Sequence, residues 1–450
     1  MDASVHKKDL EDVFWEAVNE VDPAGLIMRH VKRVGSTLVM NASVNVVAED
    51  LSRYNKVIVL GIGKASARMA VSMEAVLGER LSGGCIVTKY GHGLSLQKIR
   101  VIEAGHPVPD ENSVKGAGIL TQIADEADEG TLLINLISGG GSSLFCLPAD
   151  GISLEDKRQT TEVLLGSGAT IDEINCVRKH ISKVKGGSFA RIAYPARLIN
   201  LILSDVVGDR IDVIASGIAA PDGTTFKDAL LILEKYSIGD KIPLTVKRHL
   251  LAGAQGRIPE TPKTGEKAFG KTLNIIIGNN VLACNAALRR AAELGYDAHV
   301  LTTTLTGEAS RAGRYLAELA RDIDQGRSGI NKPALLISGG ETTVIVRGSG
   351  MGGRSQEMAL AFVCRLRRSY PGARNIFFLS AGTDGTDGPT DAAGAFVTPE
   401  LMEMMKEIEI QALDHLDRND AYHFFKRQGL LFKTGPTHTN VCDIQLVMVV

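Results

Sequence analysis

Aromatic residues make up only 5% of the 450-residue chain, and a single tryptophan, Trp15, is present. So few rings supply no stacking track for a nucleic-acid or other polymer ligand. Proline contributes just 14 residues, with no low-complexity run, which excludes collagen-like and proline-rich disordered chains. Neither charge dominates: 50 basic residues against 52 acidic ones leave a net −2, so no global field attracts nucleic acid or an anionic membrane. No apolar window approaches the roughly 18 residues of a membrane span. The opening MDASVHKKDLEDVF is acidic and amphipathic rather than a signal peptide. Six cysteines (Cys85, Cys146, Cys176, Cys284, Cys364, Cys442) lie far apart, without C-x-x-C or zinc spacing. They read as buried free thiols in a reducing compartment, and the chain as a soluble cytoplasmic protein.

What is abundant is glycine, 48 of 450 residues, against about 31 expected at a usual level of roughly 7%. Aliphatic residues supply most of the 44% hydrophobic content, a mixture that suits an α/β protein whose strands end in glycine turns. Leu10, Val13, Phe14, Ala17, Val18 and Val21 recur at helical spacing. Asp22 and Pro23 then restart a helix as N-cap and first residue. Apolar runs at 56–61, 83–89, 131–138 and 197–204 lack polar alternation, as parallel strands covered on both faces require. Helical patterns such as 154–168 and 226–236 separate them, predicting a doubly wound, Rossmann-like parallel sheet. The rhythm breaks over 239–271, rich in proline, glycine and basic residues. This predicts an N-terminal domain over 1–245, a linker or excursion over 246–271, and a C-terminal α/β domain over 272–450. In the second half, strands are expected at 273–280, 297–303, 333–340, 342–348, 375–382 and 444–450. Three strand-and-turn motifs recur in the same order in the two halves, which suggests an internal duplication.

Four features carry chemistry. Gly61-Ile62-Gly63-Lys64-Ala65-Ser66 follows a strand and opens a helix, offering backbone N–H groups and Lys64 to an anion. It lacks the Walker A glycine, and as a dinucleotide fingerprint it has Ser66 in place of the third glycine. Ser138-Gly139-Gly140-Gly141-Ser142-Ser143 resembles an anion nest, since three successive glycines are costly unless the main chain must approach a ligand. Lys179, Lys183 and Lys185 follow later and could add positive charge, although surface helix lysines are the plainer reading. Acids stand where strands should end: Asp205, Asp209, Glu341, Asp384, Asp387 and Asp391. Glycine–aspartate turns account equally well for Asp387 and Asp391, which leaves Asp205 and Asp384 as the stronger candidates. Without histidine or cysteine companions, such ligands favour magnesium over zinc. Finally, a loop of four glycines (348–353) leads to Arg354 at a helix start, a guanidinium placed to clamp oxyanions from a mobile loop. His6, His30 and His415 look like ordinary helix residues, and no G-x-S-x-G elbow is present. A basic pair, glycine nests and several acids suit phosphoryl transfer to a small anion.

The ordered set GIGKAS, EAGHPVPD, SGGGSSL, LSDVVGD, SGGE, GGRSQE, SAGTDGTDGPTDAAG and TGPTHTN resembles the class II glycerate 2-kinases, the family with a carboxy-terminal MOFRL domain. The resemblance spans nearly the whole chain from about residue 10. It implies two α/β domains with the active site in the interdomain cleft, and transfer of the ATP γ-phosphate to the 2-hydroxyl of D-glycerate. It also implies magnesium or another divalent cation, small-molecule substrates only, and allows a homodimer. The family's catalytic lysine and arginine fall on Lys64 and Arg354, and its motif acids on Asp205, Glu341 and Asp384, which are also the expected metal ligands. Gly63, Ser138, Gly139, Gly140, Gly141, Ser142, Gly340, Glu341, Gly353 and Asn440 are the expected substrate- and phosphate-binding positions. His438 departs from the pattern, standing where relatives often carry a small residue. The competing reading is an NAD(P)H-dependent hydroxypyruvate reductase, which the defective dinucleotide fingerprint opposes. A non-catalytic sugar-acid sensor is a third.

Overall fold

A computed structural model describes residues 3–41 and 46–450. The chain divides into two compact units, one of residues 23–278 and one of residues 1–22 with 279–450.

The 23–278 unit begins with the helix Pro23–His30 and a small antiparallel sheet, β1 (Val31–Val34), β2 (Thr37–Asn41) and β3 (Val46–Asp50). Six strands follow: β4 (Lys56–Ile62), β5 (Gly83–Lys89), β6 (Ile99–Ala104), β7 (Thr131–Ile137), β8 (Arg197–Leu203) and β9 (Thr272–Gly278). They form one parallel sheet in the order β6-β5-β4-β7-β8-β9. This is the doubly wound arrangement expected from the unbroken aliphatic runs, and every residue of β7 is buried. The direction of winding reverses between the adjacent strands β4 and β7. The two strands stay paired to Ile62 and Ile137, and it is the connections leaving them that depart to opposite sides of the sheet, the place where such sheets bind ligands. A polar ladder crosses this apolar sheet: Asn135 donates to Asn200 at 2.9 Å, Asn200 to Asn274 at 2.9 Å, and Asn274 to the Ala219 carbonyl at 3.1 Å. Those three asparagines share one register row across β7, β8 and β9. Four helices, Leu154–Gly166, Ile171–His180, Phe226–Lys235 and Leu244–Ala254, surround a second core built on Leu164, Ile174, Val177, Leu233, Val246 and Leu250.

In the other unit, the helix Ala3–Glu20 buries Leu10, Val13, Phe14 and Ala17, as its spacing predicts. Its sheet comprises β10 (Asp297–Leu305), β11 (Ala334–Gly340), β12 (Ile376–Gly382), β13 (Gly394–Val397), β14 (Leu431–Phe432) and β15 (Asp443–Val449), in the order β10-β11-β15-β12-β13-β14. Only β10 and β11 run parallel; β15 inserts antiparallel between β11 and β12. Asp443 at the start of β15 therefore pairs with both Gly340 and Gly382, the last residues of its neighbours.

Several expectations are corrected. The different strand orders and directions of the two sheets overturn the internal duplication. The 246–271 excursion is packed into the 23–278 unit: Val246 and Leu250 are fully buried, and β9 closes the first sheet. The division therefore falls at 278/279, and the first helix belongs with the carboxy-terminal residues. Residues 342–348 form no strand beyond a bridge at Thr343, and Val346 is 75% exposed. Alternating β-branched residues need a partner edge to form a strand, and beyond that one bridge to Glu308 this segment has none among the described residues. All six cysteines are buried free thiols. Among the described residues, no helix is long and apolar enough to cross a membrane.

Candidate functional site

The turn after β4 and the turn after β7 are built into each other. The Lys64 amide donates to the Gly139 carbonyl at 2.8 Å, and the Ala65 amide to Ser138 Oγ at 3.0 Å. Ser66, at the start of the helix Ser66–Leu77, returns its hydroxyl to the Gly63 carbonyl at 2.8 Å. The serine in place of the third fingerprint glycine thus closes the turn on itself. Gly139 matters for a different reason: a Cβ there would lie 2.2 Å from Asp205 Oδ2, so any side chain would displace that carboxylate. Gly140 adopts φ +85°, and a Cβ on it would meet His106 Nε2 at 3.0 Å and Lys64 Cγ at 3.4 Å. Lys64, His106 and Asp205 therefore converge on the glycine turn from three separate segments. Burial, then the positive charge of Lys64, holds the His106 imidazole down at about 4, so it is neutral at physiological pH. Lys64 makes no ion pair with any described residue, and its carbonyl is held by His92 Nδ1 at 3.1 Å. The result is a cation beside a neutral imidazole, a carboxylate and a largely buried glycine turn, half-exposed at Gly140, at the sheet's switch point. Anions bind such a constellation well.

A second cluster lies at the β11, β12 and β15 ends of the other unit. Arg354 opens the helix Arg354–Ser369 and donates to Asp443 through Nε at 2.6 Å and Nη2 at 2.9 Å, and to Glu341 through Nη1 at 2.9 Å. Burial works against the Arg354 charge, but the Asp443 hydrogen bonds and the neighbouring acids raise its pKa above the ordinary value. Asp443 is only 1% exposed, so this is a buried bidentate pair. Asp384 lies close by, because a Cβ on Gly382 would stand 3.3 Å from Asp384 Oδ1 and 3.5 Å from Asp443 Oδ1. Asp387 accepts from the Ser355 and Gln356 amides at 3.0 and 2.8 Å, capping the same helix, while burial pushes its carboxyl up to about 7. The cluster holds more acids than bases. Among the described residues no three histidine, cysteine or acidic side chains are already gathered as metal ligands. The neighbouring oxygens of Asp384 and Asp443 nonetheless suit magnesium, which typically takes one or two carboxylates and completes its shell with phosphate and water.

The amino-terminal part of the chain, residues 9–251, matches the family model described as a domain of unknown function, DUF4147, and residues 334–443 match the MOFRL family model. The D-glycerate 2-kinase of Thermotoga maritima is 44% identical, covering 90% of this chain and 94% of its own length. The chain belongs to the MOFRL-type glycerate 2-kinase family. A glycerate kinase crystal structure from Thermotoga maritima superposes with a TM-score of 0.85 at 40% identity, covering 99% of this chain and all of that one. A putative hydroxypyruvate reductase of Agrobacterium vitis is 40% identical over 87% of each chain.

Within this glycerate 2-kinase family framework, the expected site residues separate into groups. Lys64, Gly63, Ser138, Gly139, Gly140, Gly141, Ser142 and Asp205 gather at the first cluster; Arg354, Glu341, Asp384 and Gly353 gather at the second. A Cβ on Gly340 would meet the Leu305 backbone oxygen at 2.2 Å, so close strand packing requires this glycine. Asn440 accepts from the Cys442 amide at 3.1 Å, and His438 stands at φ +65°, which explains why a small residue suits that position. Asp391 forms an exposed pair with Lys433 at 2.8 Å. The glycine loop before Arg354 is tied by hydrogen bonds to the 418–420 segment. Asn419 accepts from the Arg347 and Gly348 amides, Gly350 donates to the Arg418 carbonyl, and Met351 donates to Asp420. Gly348 and Gly350 are needed because a Cβ on either would lie 2.5 Å from the Arg418 carbonyl oxygen, and Gly353 because a Cβ there would lie 2.3 Å from Asp387. The sequence reading missed His106, visible only as part of EAGHPVPD, and Asp443, which begins a strand rather than ending one. It also misjudged the lysines: Lys179 is buried against Asp222 at 3.2 Å, and Lys185 is wholly buried.

Proposed function

We propose that this protein transfers the γ-phosphoryl group of ATP to the 2-hydroxyl of D-glycerate, giving 2-phosphoglycerate and ADP with magnesium present. The observation that carries the reading is the convergence of Lys64, Asp205 and the Ser138–Ser143 turn at the switch point, in a chain 44% identical to a D-glycerate 2-kinase. In the reaction the 2-hydroxyl oxygen bonds to the γ-phosphorus, the bond from that phosphorus to its bridging oxygen breaks, and ADP carries away the electron pair. Catalysis of this kind consists of placing the reactants and neutralising equatorial oxygens. Lys64 contributes a full positive charge to one oxyanion, with glycine amides of the Ser138–Ser143 turn donating beside it. Arg354, fixed by Asp443 and Glu341, offers its remaining donor surface to a second oxyanion. Asp205 orients the acceptor hydroxyl and receives its proton; neutral His106 adds no charge of its own beside Lys64. Asp384 and Asp443, with Glu341 beside them, would hold the magnesium ion, which when bound spreads charge over phosphate oxygens.

A coupled assay tests this. ADP release dependent on D-glycerate, with phosphorus NMR locating the phosphate on carbon 2, is the expected outcome. Oxidation of NAD(P)H by hydroxypyruvate without ADP release overturns it. Lys64→Ala is expected to lower kcat by roughly two to three orders of magnitude, the scale for removing one preorganised charge-stabilising donor, with an unchanged melting temperature.

A further inference from the structure

The Ser138–Ser143 turn carries three serines, and counting hydroxyl protons sets Ser142 apart. Ser138 and Ser143 are buried. Ser138 Oγ accepts from the Ala65 amide at 3.0 Å, and Ser143 donates to the Gly140 carbonyl at 3.1 Å. Ser142, like Gly140, is half-exposed. Its Oγ lies 2.9 Å from Ser216 Oγ, and Ser216 in turn donates to Asn175 Oδ1 at 3.1 Å. A hydroxyl has one proton to give. That of Ser216 is committed to Asn175, so the bond between the two serines uses the proton of Ser142. Ser142 therefore turns only lone pairs toward a ligand.

The inner end of this relay is fixed. Ser216 and Asn175 are both buried. Ala215 and Ser216 stand at φ +51° and +62°, a left-handed run that residues with a Cβ rarely adopt. The run is held by the Gly186 amide on the Ser216 carbonyl at 3.1 Å and the Gly187 amide on the Gly217 carbonyl at 2.7 Å. Backbone kept against its own preference gathers where a side chain must be aimed. The aimed atom here is Ser216 Oγ, and through it Ser142 Oγ.

An oxygen that can only accept repels an oxyanion and binds an O–H or N–H donor. Oxyanions are left to the turn's main chain, where the Gly140, Gly141 and Ser142 amides have no backbone acceptor among the described residues. Gly139 abuts Asp205, and Ser142 follows three residues later, at most about 10 Å away. Two vicinal hydroxyls, each in a hydrogen bond of about 2.8 Å, bridge a gap of that order.

We propose that Ser142, aimed by Ser216 and Asn175, accepts a hydrogen bond from the second hydroxyl of the phosphoryl acceptor and so selects a vicinal dihydroxy acid over a monohydroxy one. That Ser142 accepts stands on the proton count; that its donor is the 3-hydroxyl rests on the proposed kinase reading, in which Asp205 takes the 2-hydroxyl.

The test compares D-glycerate with D-lactate, which lacks only the 3-hydroxyl, on the full chain and on Ser142→Ala and Ser216→Gly. Glycine suits the left-handed φ at position 216, so the second variant removes the hydroxyl without burdening the fold. A site built around a substrate hydroxyl rejects the analogue lacking it by orders of magnitude, so wild type should favour D-glycerate in kcat/KM by at least about a hundredfold. In Ser142→Ala the preference should fall below about tenfold, the loss lying on D-glycerate alone, with the KM for ATP changed less than about twofold. Ser216→Gly should lose the preference at an unchanged melting temperature; a merely structural serine would lower that temperature and leave the preference intact. Without nucleotide, D-glycerate should raise the wild-type melting temperature more than D-lactate does, and the two should act alike on Ser142→Ala. A preference retained in Ser142→Ala overturns the proposal. Equal losses on both acids also overturn it, because Ser142 then serves a group the two share. A raised KM for ATP with the preference intact gives Ser142 to the nucleotide and overturns it too. If the wild type releases no ADP with D-glycerate, the kinase reading fails, while the two melting shifts still decide whether Ser142 reads the second hydroxyl.

Discussion

Gly139→Ala isolates the contact on which the proposed chemistry depends. The added methyl would stand 2.2 Å from Asp205 Oδ2 and 2.9 Å from its Cγ, whereas ordinary contact begins at 3.4 Å. The carboxylate must therefore retreat by about 1.2 Å (3.4 minus 2.2). Gly139 has no left-handed φ, so alanine introduces no backbone strain to confuse the result. Misplacing a reacting group by about 1 Å costs on the order of a hundredfold in rate, so kcat for D-glycerate-dependent ADP release should fall by about that factor. The yielding group is a half-buried side chain, so the fold should lose no more than about 1 kcal/mol in urea denaturation. Gly118→Ala is the control. It lies within the helix Glu111–Asp125, where a Cβ would have nothing within 4 Å, and it should leave kcat unchanged while adding up to about 1 kcal/mol of stability. If kcat of Gly139→Ala stays within threefold of wild type while its crystal structure shows Asp205 displaced, Asp205 has no part in the reaction.

Arg354→Met strands the buried Asp443 carboxylate, and breaking such a pair from one side costs about 3 kcal/mol; an unchanged denaturation midpoint would refute the pairing. Asn200→Leu removes the central rung between Asn135 and Asn274 and should cost about 2–4 kcal/mol by leaving buried amides unsatisfied, read as a fall in melting temperature. The His106 imidazole stands at about 4 in the folded chain against an ordinary 6.5. Its contribution to stability is therefore complete above pH 6.5 and is lost as pH falls toward 4. Its partial exposure reduces the effect to on the order of 1–2 kcal/mol. His106→Asn should flatten the stability profile in that window; an unaltered slope would show that the imidazole titrates normally.

Much of the fold was legible because the parallel sheet leaves a direct trace. Strands covered on both faces must be largely aliphatic, and 56–61, 131–138 and 197–204 are, the Asn135 and Asn200 rungs apart. The Gly61–Ser66 and Ser138–Ser143 turns were legible for a related reason, since glycine at a strand's carboxyl end marks close backbone approach. The strand order was not, because local periodicity says nothing about which strands neighbour one another. For that reason the mixed second sheet gave no sign of itself, nor did the entry of β15 between β11 and β12. Asp443 was overlooked with it: an acid at a strand's beginning joins the working edge only if that strand runs antiparallel to its neighbours.

By itself, then, the sequence determined the α/β class, the glycine turns, and the candidate charges Lys64, Asp205, Asp384 and Arg354. Few aromatics and balanced charge already pointed away from polymers and toward a small ligand. Only the tertiary structure decided which charges are matched. Lys179 and Lys185 look equivalent in RKHISKVKGG, yet one meets Asp222 and the other is buried without an acid. Pairing is set by distance across elements far apart in the chain, 43 positions for Lys179 and Asp222, and no local pattern encodes that distance.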